Sequence, residues 1–298
     1  MSESFYGLPT SKALALLRWP LAMCIVSVHW FIWDSVVPSV GLDAATASLP
    51  LFRALTDFVT VFLSDNGVAS FFFISGFLFF AGGEMTAERY RTKLRRRVDT
   101  LIVPYLLWNL LFVAFTAAHY LPVFSSVFPR MQAEGFDMTL SDFLLGFGLT
   151  VRPHNGNLWF IRELIVCVLA VPLLLPLMRR SRAALPLLFA ALYFVALVYA
   201  PGYLTDLFSS LFFFVLGALL SMARTDLVSA VRGRGWLSFA LFVAMGVAYY
   251  MTMDAYPLAA AVIKFVGLLN VIVMALCIAS WFVRRGTTAN AFLTGATF

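Results

Sequence analysis

Eight apolar stretches, each near the length that crosses a bilayer, leave this 298-residue chain few folds to choose from. A helix needs about 20 apolar residues to span the hydrocarbon core. The stretches cover roughly 13–33, 67–83, 98–119, 158–178, 184–201, 205–222, 236–253 and 258–283. Composition agrees: 62% of residues are hydrophobic and 12% charged, and mean hydropathy is +0.91. A soluble domain of this length has no interior large enough for that much apolar surface, whereas lipid solvates the excess. The sequence predicts an all-α, polytopic transmembrane helical bundle of about eight helices. The first stretch is too long for a signal-peptide core and is followed by no convincing cleavage site, so it is read as a membrane helix.

The charges then orient the bundle. With the N-terminus placed in the cytoplasm, sixteen of the 21 Lys and Arg fall on the inner side. Only Arg53, Arg130 and Arg152 fall outside, while Arg162 and Lys264 lie within spans. Carboxylates lean outward, among them Asp34, Asp65, Asp142, Asp206 and Asp254. Every loop obeys the positive-inside rule. The formal charge of +6 therefore reads as membrane topology, with lipids as the surroundings, rather than as nucleic-acid binding. Cys24, Cys167 and Cys277 sit in apolar spans with no metal spacing and read as packing residues, and no metal is expected. Two outer loops, about 34–66 and 120–157, carry semi-apolar stretches at 51–63 and 140–149 that suit interfacial or re-entrant helices. His119 and His154 lie near the outer surface and are most simply solvated.

Polar groups inside a membrane are costly and are functional candidates by default. The first helix carries Arg18 and His29. Eleven residues at about 100° each return His29 to within about 20° of the Arg18 face, with a rise of about 16 Å. A ligand with an anionic end and a reactive end fits along such a face. The plainer readings are an interfacial arginine and a histidine bonded to a neighbouring helix. Lys93, Arg95, Arg96 and Arg97 form a basic loop before Pro104. It serves as a topology signal, and it also offers guanidinium forks that match phosphate oxygens. Ser75 and Gly76 allow close helix contact. Near the outer boundary come Trp159, Arg162 and Glu163. The last two are adjacent, so they point about 100° apart and are expected to reach different neighbours. Soluble-enzyme signatures such as the P-loop, GxGxxG, HExxH and GxSxG are absent.

Taken in order, five segments resemble the membrane acyltransferase family 3, the integral-membrane O-acyltransferases of bacteria and some eukaryotes. They are the Arg18-x10-His29 pair, GVASFFFISGFLF, KLRRRVDTLIVPYLLWN, NLWFIRELIVCVLAVPLL and LFFFVLGALLS. The third is similar to the basic loop and PYLLW helix of the sugar O-acetylase branch. The resemblance covers nearly the whole chain, which is read as a single acyltransferase domain over 1–298. It implies transfer of an acyl group, usually acetyl from cytoplasmic acetyl-CoA, to a hydroxyl of a carbohydrate or lipid-linked sugar. It makes Arg18 and His29 essential. The family usually has ten helices. This sequence reaches Thr294–Phe298 about where the last would start, which suggests a C-terminally shortened member.

On this reading His29 is the base, acting on the acceptor directly or after being acylated itself; Arg18 guides the thioester arm or steadies charge at the mouth, and Ser75 is a candidate oxyanion donor. Lys93, Arg95, Arg96 and Arg97 hold the CoA phosphates, and Trp159, Arg162 and Glu163 meet the acceptor. The location implied is the bacterial cytoplasmic membrane. Two rivals stay open: a transporter or flippase for a polysaccharide intermediate, and a catalytically inactive relative.

Overall fold

The computed structural model describes residues 8–30, 64–118, 139–148, 153–200, 202–253 and 255–287. Helices dominate these residues, and no strand occurs among them. They are α1 (Leu8–Trp30), α2 (Ser64–Phe80), α3 (Ala87–Arg97), α4 (Val103–Ala118), α5 (Leu140–Leu145) and α6 (Trp159–Arg180). There follow α7 (Ala184–Tyr199), α8 (Gly202–Met222), α9 (Leu227–Ala230), α10 (Gly235–Thr252) and α11 (Pro257–Arg284). Over the described residues, each of the eight expected spans carries a helix. Among the described residues, five helical runs are long and apolar enough to cross a membrane: Ala87–Ala118, Gly156–Arg180, Gly202–Met222, Gly235–Thr252 and Pro257–Arg284. Gly67–Phe80 and Ala184–Tyr199 are shorter apolar helices.

The chain divides into two compact units, Met1–Glu84 with Phe213–Phe298, and Met85–Phe212. In the first unit α1, α2 and α11 pack together, and α10 lies along α11. Its core is phenylalanine-rich. Phe72, Phe77, Phe213 and Phe214 are fully buried, and the Phe79 and Phe214 rings lie 6.2 Å apart. Glycines set the approach of α2 to α8. A Cβ on Gly76 would strike the Phe214 backbone, and one on Gly217 would strike the Phe73 backbone. Small residues let helix backbones touch where lipid offers no hydrophobic drive. Gly76 thus lets α2 approach α8, the packing role that the small residue suggested. A polar clamp ties α10 to α11: Ser238 Oγ donates to Asn270 Oδ1 at 2.9 Å, and Asn270 Nδ2 donates to the Ser238 carbonyl at 2.9 Å. At the N-terminal end of α1, Thr10 Oγ1 donates to Asp226 Oδ1 at 2.5 Å. Asp226 also caps α9 through the Val228 N–H at 3.2 Å.

In the second unit α3 runs into α4 through a π-helical turn, Val98–Ile102. Pro104 explains it. Proline lacks the N–H for an i−4 bond and its ring crowds that carbonyl; the helix widens just before it, so the Val103 N–H reaches the Val98 carbonyl. The basic segment expected as a loop is consequently helical. Thr86 caps its start, accepting from the Arg89 N–H at 3.2 Å. On α7 the buried residues Leu185, Phe189, Tyr193 and Ala196 form one stripe facing inward. Tyr90 Oη donates to the Val168 carbonyl at 3.3 Å, joining α3 to α6.

Candidate functional site

The predicted site residues form three groups, on α1 with α2, on α3, and at the start of α6. The first lies on α1, in the first unit. The helix is continuous from Leu8 to Trp30, so Arg18 and His29 share one helix as their spacing requires. Arg18 is half-buried, on a helix that carries Pro20. The His29 side chain lies outside the described residues. Ser75, in the same unit, is half-buried on α2 beside Gly76.

The second group lies on α3, in the second unit. Arg95 and Arg96 are exposed, while Lys93 and Arg97 are half-buried. Leu94, Arg97, Leu101, Ile102, Ile165, Val168 and Leu169 line a shallow apolar groove between the π turn and α6. Of the four basic residues, Arg97 alone lines that groove.

The third group, at the start of α6, is the densest polar cluster described. Arg162 is 7% exposed and Glu163 0%. Contrary to the expectation of separate neighbours, they pair with each other: Arg162 Nη2 donates to Glu163 Oε1. Both side chains are long enough to curl together, and in a buried setting the ion pair outweighs the 100° between their Cβ directions. The expectation of distinct neighbours is still met in part, because the Arg162 guanidinium carbon also lies 5.9 Å from the Tyr203 ring centre. Trp159, one turn earlier, is half-buried.

Sequence reasoning missed the rest of this cluster. Tyr105 and Asn109 on α4 are buried. Asn109 Nδ2 donates to the Tyr105 carbonyl at 2.8 Å, and Asn109 Oδ1 accepts the Asn155 N–H at 3.0 Å. Tyr105 Oη donates to the Phe147 carbonyl at 2.9 Å. The signal was present in Pro104-Tyr105-x3-Asn109: two polar side chains one helical turn apart inside an apolar span. His154, expected to be solvated, is half-buried. Its Nε2 lies 2.9 Å from the Phe143 carbonyl, and its ring stands edge-on to Phe147 with centres 5.6 Å apart. The outer segment folded over it turned a surface histidine into a clip. Of the two semi-apolar outer stretches, 51–63 lies outside the described residues. Within 140–149 a six-residue helix, α5, forms behind a Thr139–Asp142 capping box. Among the described residues no group of His, Cys, Asp and Glu is arranged to hold a metal.

The family model of an acyltransferase domain, acyltransferase 3, matches residues 11–298. The chain belongs to the acyltransferase 3 family. Its apolar helices and this membership make it a multi-pass membrane protein. It is also similar to the succinoglycan biosynthesis protein ExoH of Rhizobium meliloti, 28% identical over 222 residues. That alignment covers 68% of this chain and 55% of the relative. The chain thus spans about half the length of the curated relative it matches. No solved structure matches.

Proposed function

We propose that this protein transfers an acyl group, acetyl in the first instance, from cytoplasmic acyl-CoA to a hydroxyl of a carbohydrate or lipid-linked glycan. The observation that carries the reading is the acyltransferase match over residues 11–298. The similarity to a succinoglycan biosynthesis protein supports a polysaccharide acceptor. The bacterial inner membrane is the location that suits both.

Chemistry assigns the roles. A sugar hydroxyl is a weak nucleophile at neutral pH and needs a positioned base. Imidazole, with an ordinary pKa of about 6.5, is largely neutral there and fills that role. In this reading His29 takes the hydroxyl proton as the oxygen attacks the thioester carbonyl. The carbon–sulfur bond breaks, and CoA leaves as the thiolate. Arg18 steadies negative charge along the same helix face, and Ser75 is a candidate donor to the developing oxyanion. Lys93, Arg95, Arg96 and Arg97 hold the CoA phosphates, with the apolar groove beside Arg97 under the pantetheine arm. Trp159, Arg162 and Glu163 meet the acceptor.

The test is acyl transfer from radiolabelled acetyl-CoA to surface glycan by membranes carrying His29→Ala. Loss of transfer is expected, and undiminished transfer would sink the assignment. Mass spectrometry of glycans from a deletion strain separates enzyme from transporter. Missing ester on intact glycan is the enzyme's signature; missing glycan is the transporter's.

A further inference from the structure

Glu163 is the one fully buried carboxylate among the described residues, and half of it is unaccounted for. Its Oε1 accepts from Arg162. Its Oε2 is buried and has no hydrogen-bond partner among the described residues. A buried carboxylate oxygen without a donor is among the costliest arrangements a fold can hold, and such exceptions call for an explanation.

The neighbouring side-chain donors are directed elsewhere, and none of the described ones reaches Oε2. Asn109 Nδ2 is bonded to the Tyr105 carbonyl, and Tyr105 Oη to the Phe147 carbonyl. What Oε2 requires is an O–H or N–H from elsewhere. An anionic donor would bring a second negative charge to a carboxylate that is already fully buried. A neutral hydroxyl fits. The half-buried Trp159 and the Tyr203 ring beside Arg162 offer apolar faces of the kind that sugar rings lie against.

The same cluster has a cover. The turn after α5 rests on it: a Cβ on Gly148 would lie 2.6 Å from both Arg162 Cδ and Tyr105 Oη. Gly148 takes a φ of +84°, open to glycine and strained for other residues. The turn is held by the Tyr105–Phe147 bond and by His154, whose N–H donates to the Gly146 carbonyl at 2.6 Å and whose ring meets the Phe143 carbonyl. A few hydrogen bonds and two aromatic edges make a local contact that can open without unfolding the helices beneath.

We propose that Glu163 Oε2 accepts a hydrogen bond from a hydroxyl of the acceptor sugar other than the one that reacts, in a subsite that the Phe143–Gly148 turn covers until the glycan displaces it. This rests on the reading of the acceptor as a glycan.

The test uses the purified full chain in lipid nanodiscs. The probe is oligosaccharide from the host's own surface polysaccharide, de-O-acylated with mild base, with binding followed by calorimetry. Glu163→Met is expected to weaken glycan binding about tenfold or more, since a hydrogen bond to a charged group is lost, and to leave acetyl-CoA affinity unchanged. Should that variant not accumulate, the double variant Arg162→Met/Glu163→Met leaves no buried charge and is expected to show the same loss. Tyr105→Phe, which unclips the turn, is expected to speed glycan association. Unchanged glycan affinity in the Glu163 variants overturns the proposal, as does a wild-type protein that does not bind the glycan. Failure of the functional reading is seen separately, as glycan binding without acetyl transfer.

Discussion

At the scale of single residues, chemistry and burial pull in different directions. His29→Ala is expected to reduce acyl transfer by at least about 100-fold, the usual worth of a positioned base, measured as acetyl ester formed per unit of membrane protein. Arg162 and Glu163 show how burial overrides local geometry. Neighbours in sequence diverge on a helix, yet two opposite charges taken out of water find each other because no other arrangement solvates them. Asp226 makes a pH-dependent contact of the ordinary kind. The hydroxyls of Ser229 and then Thr10 hold its carboxyl below the usual carboxylate range. A folded-state pKa below the unfolded one gives stability that is present above about pH 4 and lost as pH falls through the folded value. Asp226→Asn is therefore expected to lower the thermal midpoint at pH 7, and to lower it by less as pH falls below the ordinary carboxylate range, measured by melting at a series of pH values.

At the scale of elements, helix pairs are matched by what their contact faces leave out. Gly76 and Gly217 each meet backbone across the α2–α8 contact, so an added methyl has no space to enter. Gly76→Ala or Gly217→Ala is expected to cost about 1–3 kcal/mol by forcing the helices apart, seen as a lower melting temperature in detergent. Hydrophobic pattern alone marked these segments as helices; the glycines specify which helix each one touches. The π turn before Pro104 is the other element-scale device. It changes the angular phase between the basic α3 and the apolar α4, and so governs where Arg95 and Arg96 point relative to the helix they precede.

At the scale of the whole molecule, charge distribution is the main prediction. A cysteine placed at exposed Arg182 is expected to resist membrane-impermeant maleimide in intact cells, while one at exposed Asn157 reacts; the reverse labelling would invert the topology. Arg96→Glu is expected to weaken acetyl-CoA binding, with the difference from wild type shrinking as salt rises. An unchanged apparent affinity would leave the arginines a topology signal only.

Apolar spans of bilayer length and their basic flanks were sufficient to establish an all-α membrane bundle and the positions of its helices, because lipid permits few ways of satisfying the backbone. The motif order likewise carried the family, and helical spacing alone placed Arg18 and His29 on one helix. The cluster around Glu163 was decided by tertiary structure. Tyr105, Asn109 and His154 lie between 9 and 58 residues from Glu163 in sequence, and periodicity contains no term for such contacts. Whether a polar side chain is solvated, paired or left waiting for a ligand depends on what folds over it. At Glu163 that is a turn whose glycine must sit against Arg162, and that closeness emerges only once the chain has closed on itself.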